Sequence, residues 1–160
     1  MRRSCGASAE ISAQPPAVWA VATDVTRVGE WSGECRGCEW ADGATTAAVG
    51  ARFRGHNRRL GLRWTRTNEV FVVDEPHRFV WRTMPGGIYT DSVEWELRLE
   101  ENGNGTTARL SYSVVKLAKA AELLIDVFFP PHRDRTGDLA DDLGRLKRLV
   151  EATLTTEHTG

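Results

Sequence analysis

No stretch of the chain approaches the ~20 consecutive apolar residues that a membrane-spanning helix needs, so stable membrane insertion is not expected. Met1-Arg2-Arg3-Ser4-Cys5-Gly6 is not followed by an apolar run, and no signal peptide is read there. Cysteine is scarce and odd in number, three in 160 residues, which argues against a disulfide scaffold and for a cytoplasmic location. Charge of either sign is not in excess. A net charge of -1 gives no general attraction to nucleic acid or to anionic membrane. His56, His77, His132 and His158 stand too far apart in sequence to suggest a metal site. Also missing are G-x-S-x-G, the P-loop pattern and G-x-G-x-x-G after a strand. A hydrolase triad, nucleotide binding and a Rossmann cofactor are therefore not expected, and neither is any other cofactor or metal.

What remains is an ordinary globular composition, 41% hydrophobic and 27% charged, with a length that predicts one domain over residues 1–160 as a monomer or homodimer. Six tryptophans are a surplus. Large rings fill cores, but they also make good walls for an apolar pocket. The clearest element is a helix over Thr136 to Thr155, where Leu139, Leu143, Leu146, Val150 and Leu154 are spaced four, three, four and four. Thr136 is the expected cap, acidic residues come early, and Arg145, Lys147 and Arg148 come late, as the helix dipole prefers.

Upstream of that helix the chain mostly alternates. Ser8 to Ser12 reads as a first strand, and Pro15-Pro16 then opens a short helix over Ala17 to Asp24, followed by a turn or two at Thr26 to Trp31. Strands are predicted at Cys35 to Ala41, Ala51 to Asn57, Leu62 to Val73, Arg78 to Met84, Asp91 to Glu100 and Thr107 to Val115. Asn102-Gly103-Asn104-Gly105 is the strongest turn signal. Consecutive short turns predict an antiparallel meander with one dry face and one wet face. Leu117 to Phe129 breaks the alternation with an apolar helical stripe, ends at Pro130-Pro131, and suits a lid.

The order of strand, two short helices, six strands and a long helix resembles the START-like or Bet v 1-like (SRPBCC) superfamily, in particular its bacterial polyketide cyclase/dehydrase and lipid-transport branch. The residues that carry the resemblance are Pro16-Ala17-Val18-Trp19, Asp24 to Trp31, Val49 to Asn57, Trp64 with Asn68-Glu69-Val70, and Leu139 to Leu149. The resemblance implies an α+β helix-grip fold: a seven-stranded curved antiparallel sheet wrapped around the C-terminal helix, with an apolar cavity between them. It also implies a hydrophobic small-molecule ligand such as a lipid, a polyketide or an aromatic compound. Because one fold hosts many activities, chemistry has to be argued from residues.

If the cavity exists, parity places Phe53, Trp64, Asn68, Val70, Phe79, Trp81, Trp95, Leu110 and Tyr112 on its sheet wall. Leu139, Leu143 and Leu146 face them from the helix, and Leu124 and Phe128 come from the lid. Arg66, Asn68 and Tyr112 are the polar candidates on that face. They are the residues that would serve an aldol-type cyclase/dehydratase, since a positioned donor or base assists closure and loss of water. For Arg66 the plain alternative is a salt bridge, and for Tyr112 a backbone hydrogen bond.

Cys35-Arg36-Gly37-Cys38 has redox spacing, but it enters a strand rather than a helix. Positions three apart in a strand point to opposite faces, so a redox or metal role is disfavoured unless a bulge lets the thiols meet. Arg52, Arg54, Arg58, Arg59, Arg63 and Arg66 fall in a window, residues 43–68, with no acidic residue. Most of these arginines read as a wet sheet face paired to glutamates; the alternative is a docking surface for an acidic protein.

Overall fold

The computed structural model describes residues 4–87, 90–116 and 134–158. Its elements in chain order are β1 (Ser4–Ile11), α1 (Pro15–Ala22), a 3-10 turn (Val25–Arg27), α2 (Val28–Trp31), β2 (Cys35–Ala41), β3 (Arg52–Arg59), β4 (Leu62–Asp74), β5 (Arg78–Thr83), β6 (Ser92–Asn102), β7 (Gly105–Lys116) and α3 (Thr136–Glu157). The strands form one antiparallel sheet in the order β1-β7-β6-β5-β4-β3-β2. This is the helix-grip arrangement expected from the sequence, with β1 starting four residues earlier, at Ser4. The expected lid, Leu117 to Phe129, lies outside the described residues. No described helix is long and apolar enough to cross a membrane.

Alternation sorts the side chains onto two faces, and the register confirms it strand by strand. Phe79 stands opposite Leu97, Trp81 opposite Trp95, and Leu97 opposite Leu110, all on the inner face. The outer face carries the ion pairs Arg52–Glu69, Arg78–Glu96 and Arg82–Glu94. Bulges change the parity in two places that matter. The β4–β5 register shifts between Val70 and Val72, leaving Phe71 unmatched, so Val73 opposite Phe79 takes the inner position that simple alternation assigns to Val72. The β2–β3 register shifts between Cys35 and Gly37, which leaves Arg36 as the extra residue.

Helix α3 buries Leu139, Leu143, Leu146 and Val150 as its spacing predicts. It packs chiefly along β1, with lighter contact to β7, α1 and α2. Lys147 Nζ donates to the Glu10 carbonyl at 2.8 Å, and Glu151 Oε1 accepts from the Ser12 amide at 2.9 Å, tying the helix to the end of β1. The cap differs from expectation: Asp134 Oδ1 accepts from the Thr136 amide at 3.0 Å, so Asp134, not Thr136, supplies the oxygen that serves the helix start. Among the described residues no strand approaches Gly144, and a Cβ there would meet only the Arg148 guanidinium, at 3.7 Å.

Candidate functional site

The aromatic residues of β5 and β6 form a continuous surface on the inner face. Rings run in unbroken contact from α1 to β7. Trp19 meets Phe79 edge-on at 5.9 Å, Phe79 tilts against Trp81 at 5.2 Å, Trp81 stacks on Trp95 at 6.0 Å with 3° between planes, and Trp95 meets Tyr112 edge-on at 5.0 Å. These spacings lie in the range where aromatic pairs attract. Phe79 and Tyr112 are buried, whereas Trp81 and Trp95 keep part of their surface open. Trp64, further along the same face, is also half-buried.

A polar strip crosses the inner face toward β2. Arg66 Nη1 donates to both carboxylate oxygens of Asp91, at 3.1 and 3.3 Å, and Nη2 donates to the Asp91 carbonyl at 3.1 Å. Beside it the Thr83 hydroxyl donates to Asn68 Oδ1 at 3.0 Å, and Asn68 Nδ2 donates to the Arg66 carbonyl at 3.3 Å. All four side chains are mostly removed from water, which is tolerable only because each has a partner. The salt-bridge alternative for Arg66 is therefore what the fold contains.

The third feature is Arg135, one residue before α3. Its guanidinium carbon lies 5.3 Å from the ring centres of both Trp95 and Tyr112, within cation–π range. The same group bonds the Glu34 carboxylate. Arg59 bonds Asp138 at 2.9 Å and approaches Glu34 at 4.0 Å, so the starts of β2 and α3 and the end of β3 are joined by one charge network. Arg135 Nε and the Trp31 indole nitrogen are buried donors without a hydrogen-bond acceptor among the described residues. Burial pushes the Tyr112 phenol up to about 12, with the Arg135 charge pulling the other way. Tyr112 is thus a proton donor at neutral pH and not a base.

Phe53, Trp64, Asn68, Val70, Phe79, Trp81, Trp95, Leu110 and Tyr112 all fall on the inner face, and Leu139, Leu143 and Leu146 join the same core from α3. Leu124 and Phe128 lie outside the described residues. Four contributors were missed by sequence reasoning: Glu34, Thr83, Asp91 and Arg135. Thr83 was findable, since it shares the parity of Phe79 and Trp81. The other three lie beside strand or helix ends, where periodicity carries no signal. An open cleft of about 330 Å³ over β1, β7 and β6 is lined by Glu96, Arg98, Arg109 and Ser111 with Ala7 and Ser8, and of the residues above only Leu110 borders it.

Residues 3–151 match the family model described as polyketide cyclase/dehydrase and lipid transport. Among curated proteins none matches. Solved structures give the same architecture. The polyketide_cyc-like protein Cgl2372 from Corynebacterium glutamicum is 26% identical, with a TM-score of 0.61 over 98% of this chain and 96% of that one. TTHA0849 from Thermus thermophilus is 19% identical, with a TM-score of 0.69 over 94% of this chain and 98% of that one. The major latex-like protein 151 from Panax ginseng is 15% identical, with a TM-score of 0.67 over 94% of this chain and 95% of that one.

Proposed function

We propose that this chain, which belongs to the polyketide cyclase/dehydrase and lipid transport family, binds a neutral hydrophobic small molecule against the inner face of its sheet. The observation that carries the reading is the ladder from Trp19 to Tyr112, whose middle rings, Trp81 and Trp95, remain partly open although they face inward. Half-buried indoles on the dry side of a sheet favour a flat, apolar guest. Covering them would stabilise a complex by ~25 cal/mol per Å² of apolar area removed from water.

Charge narrows the class. Arg66 is committed to Asp91, and Arg135 to Glu34, so an anionic ligand would have to displace a carboxylate already in place. A carbonyl or hydroxyl oxygen would not, and Arg135 Nε is a buried donor that such an oxygen would satisfy. A polycyclic aromatic ketone or a polyketide fits these terms better than a fatty acid does.

A cyclase/dehydratase acting on the same guest is less well supported by these residues. It would need a base near the reacting carbon, and Tyr112 holds its proton up to about 12. Arg66, Asn68 and Thr83 are occupied with one another and with Asp91. They would orient a ligand rather than move its protons.

The test is native mass spectrometry of the purified protein in competition between a neutral tricyclic aromatic ketone and a long-chain carboxylate. A one-to-one adduct with the ketone, weakened in Trp95→Ala, is expected. No adduct with either compound, or preference for the carboxylate, would overturn the reading.

A further inference from the structure

The cysteine pair that strand parity sets on opposite faces meets on one face. Cys35 lies opposite Asn57 and Cys38 opposite Gly55, with Arg36 as the extra residue of the bulge between them. One inserted residue reverses the parity of everything after it, so both sulfurs point inward. They lie 2.9 Å apart and are free thiols.

Two neighbours hold this arrangement. Gly55, opposite Cys38, has no side chain, and a Cβ built there would lie 3.6 Å from Cys38 Sγ and 3.8 Å from Cys35 Sγ. A Cβ alone would sit in ordinary contact there, and a longer side chain would have to share the space the sulfurs fill. On the far side α2 presses on the bulge: a Cβ at Gly29 would come within 2.5 Å of the Arg36 carbonyl oxygen, so only glycine permits this approach. Cysteines used merely as small packing groups would not need an inserted residue to bring them into contact.

We propose that Cys35 and Cys38 are a redox-active dithiol that closes to an intramolecular disulfide, with a hydroperoxide as the oxidant. Cys35 Sγ contacts Cys38 Sγ and, at 3.3 Å, the Gly37 carbonyl oxygen; the contact with Cys38 pulls the Cys35 thiol down in pKa, and the same contact, with burial, pushes the Cys38 thiol up. Cys35 is therefore the nucleophile. It is only 8% exposed, which suits a small oxidant at this outermost strand better than a bulky disulfide. The Cys35 thiolate attacks one oxygen of hydrogen peroxide, the O–O bond breaks, hydroxide leaves, and Cys35 becomes a sulfenic acid. Cys38 then loses its proton and attacks Cys35 Sγ, the S–O bond breaks, and the hydroxyl leaves with a proton as water. Both sulfurs are oxidised by one electron each, both peroxide oxygens are reduced, and two waters form in all. The proposal is independent of what the inner face binds.

The experiment is hydrogen peroxide treatment of the folded protein, then denaturation, alkylation and intact mass measurement. Untreated protein takes up three alkyl groups, one per cysteine, and treated protein is expected to take up one and to lose two hydrogens. Cys38→Ser should stop at a Cys35 sulfenic acid that dimedone traps, and Cys5→Ser should close as the parent does. Gly29→Ala, which pushes on the bulge, should slow closure at least tenfold while its far-UV spectrum stays that of the parent. Retention of all three alkylation sites after peroxide, or oxidation of either sulfur beyond sulfenic acid with no disulfide, would overturn the proposal.

Discussion

Replacing Arg66 by methionine removes the guanidinium from Asp91 and keeps most of the apolar stem. The two side chains are 12% and 10% exposed, so solvent screens them poorly and cannot take over the lost contacts. Three hydrogen bonds go at once: two to the carboxylate and one to the Asp91 carbonyl. Removing one member of a buried ion pair costs ~3–5 kcal/mol, because the other charge is left uncompensated. With a urea m-value of ~2 kcal/mol per molar, the unfolding midpoint should fall by about 2 M. The double variant Arg66→Met/Asp91→Leu removes the stranded charge and should return to within ~1 kcal/mol of the parent, since buried pairs exchange for apolar ones at little net cost. Urea titrations of the parent, the two single variants and the double variant, followed by tryptophan fluorescence, give the coupling directly. A loss below ~1 kcal/mol for Arg66→Met, or a double variant no more stable than the single ones, would refute this assignment of Arg66.

Three other outcomes follow from single contacts. Gly144→Ala should stabilise the protein by ~1 kcal/mol, because α3 gains helix propensity and, among the described residues, the new methyl meets only the Arg148 guanidinium, at 3.7 Å; a lower thermal midpoint would contradict this. Leu143→Ala, at a side chain with no exposed surface, should cost ~2–5 kcal/mol in the same urea assay, and a cost under ~1 kcal/mol would mean that this part of the core is loose. The difference in ultraviolet absorbance between the parent and Tyr112→Phe should show a phenol ionising near 12 rather than at its usual 10.0. The sign follows: a folded pKa above the unfolded one makes this contribution to stability complete below pH 10 and lost as the pH rises toward 12.

Element order, sheet direction and the inner-face residues were legible because a seven-stranded meander is written in period-two alternation, and most of the tight turns are marked by glycine, asparagine or proline. The α3 stripe was equally plain. What alternation could not reveal were the insertions. Arg36 and Phe71 look like ordinary strand residues, yet each reverses the parity that follows it, turning Cys38 inward and exchanging Val72 for Val73. Long-range partners were also invisible. Asp91 is 25 residues from Arg66, and Glu34 is 101 residues from Arg135, so neither pairing can be read from local spacing. The seat of α3 depends on where it is tied, through Arg135 to Glu34 and Asp138 to Arg59 at its start and through Lys147 to Glu10 and Glu151 to Ser12 further along.

The central claim is that an apolar guest covers the inner-face indoles. Proton–nitrogen correlation spectra of the six tryptophan indoles, recorded during titration with a neutral tricyclic aromatic ketone, test it directly. The account predicts large shifts at Trp81 and Trp95, a smaller one at Trp64, and nearly unmoved signals from Trp19 and Trp31, which are already packed in the core. Shifts confined to outer-face amides such as Arg52, Arg54 and His56, with the Trp81 and Trp95 indoles unchanged, would contradict it.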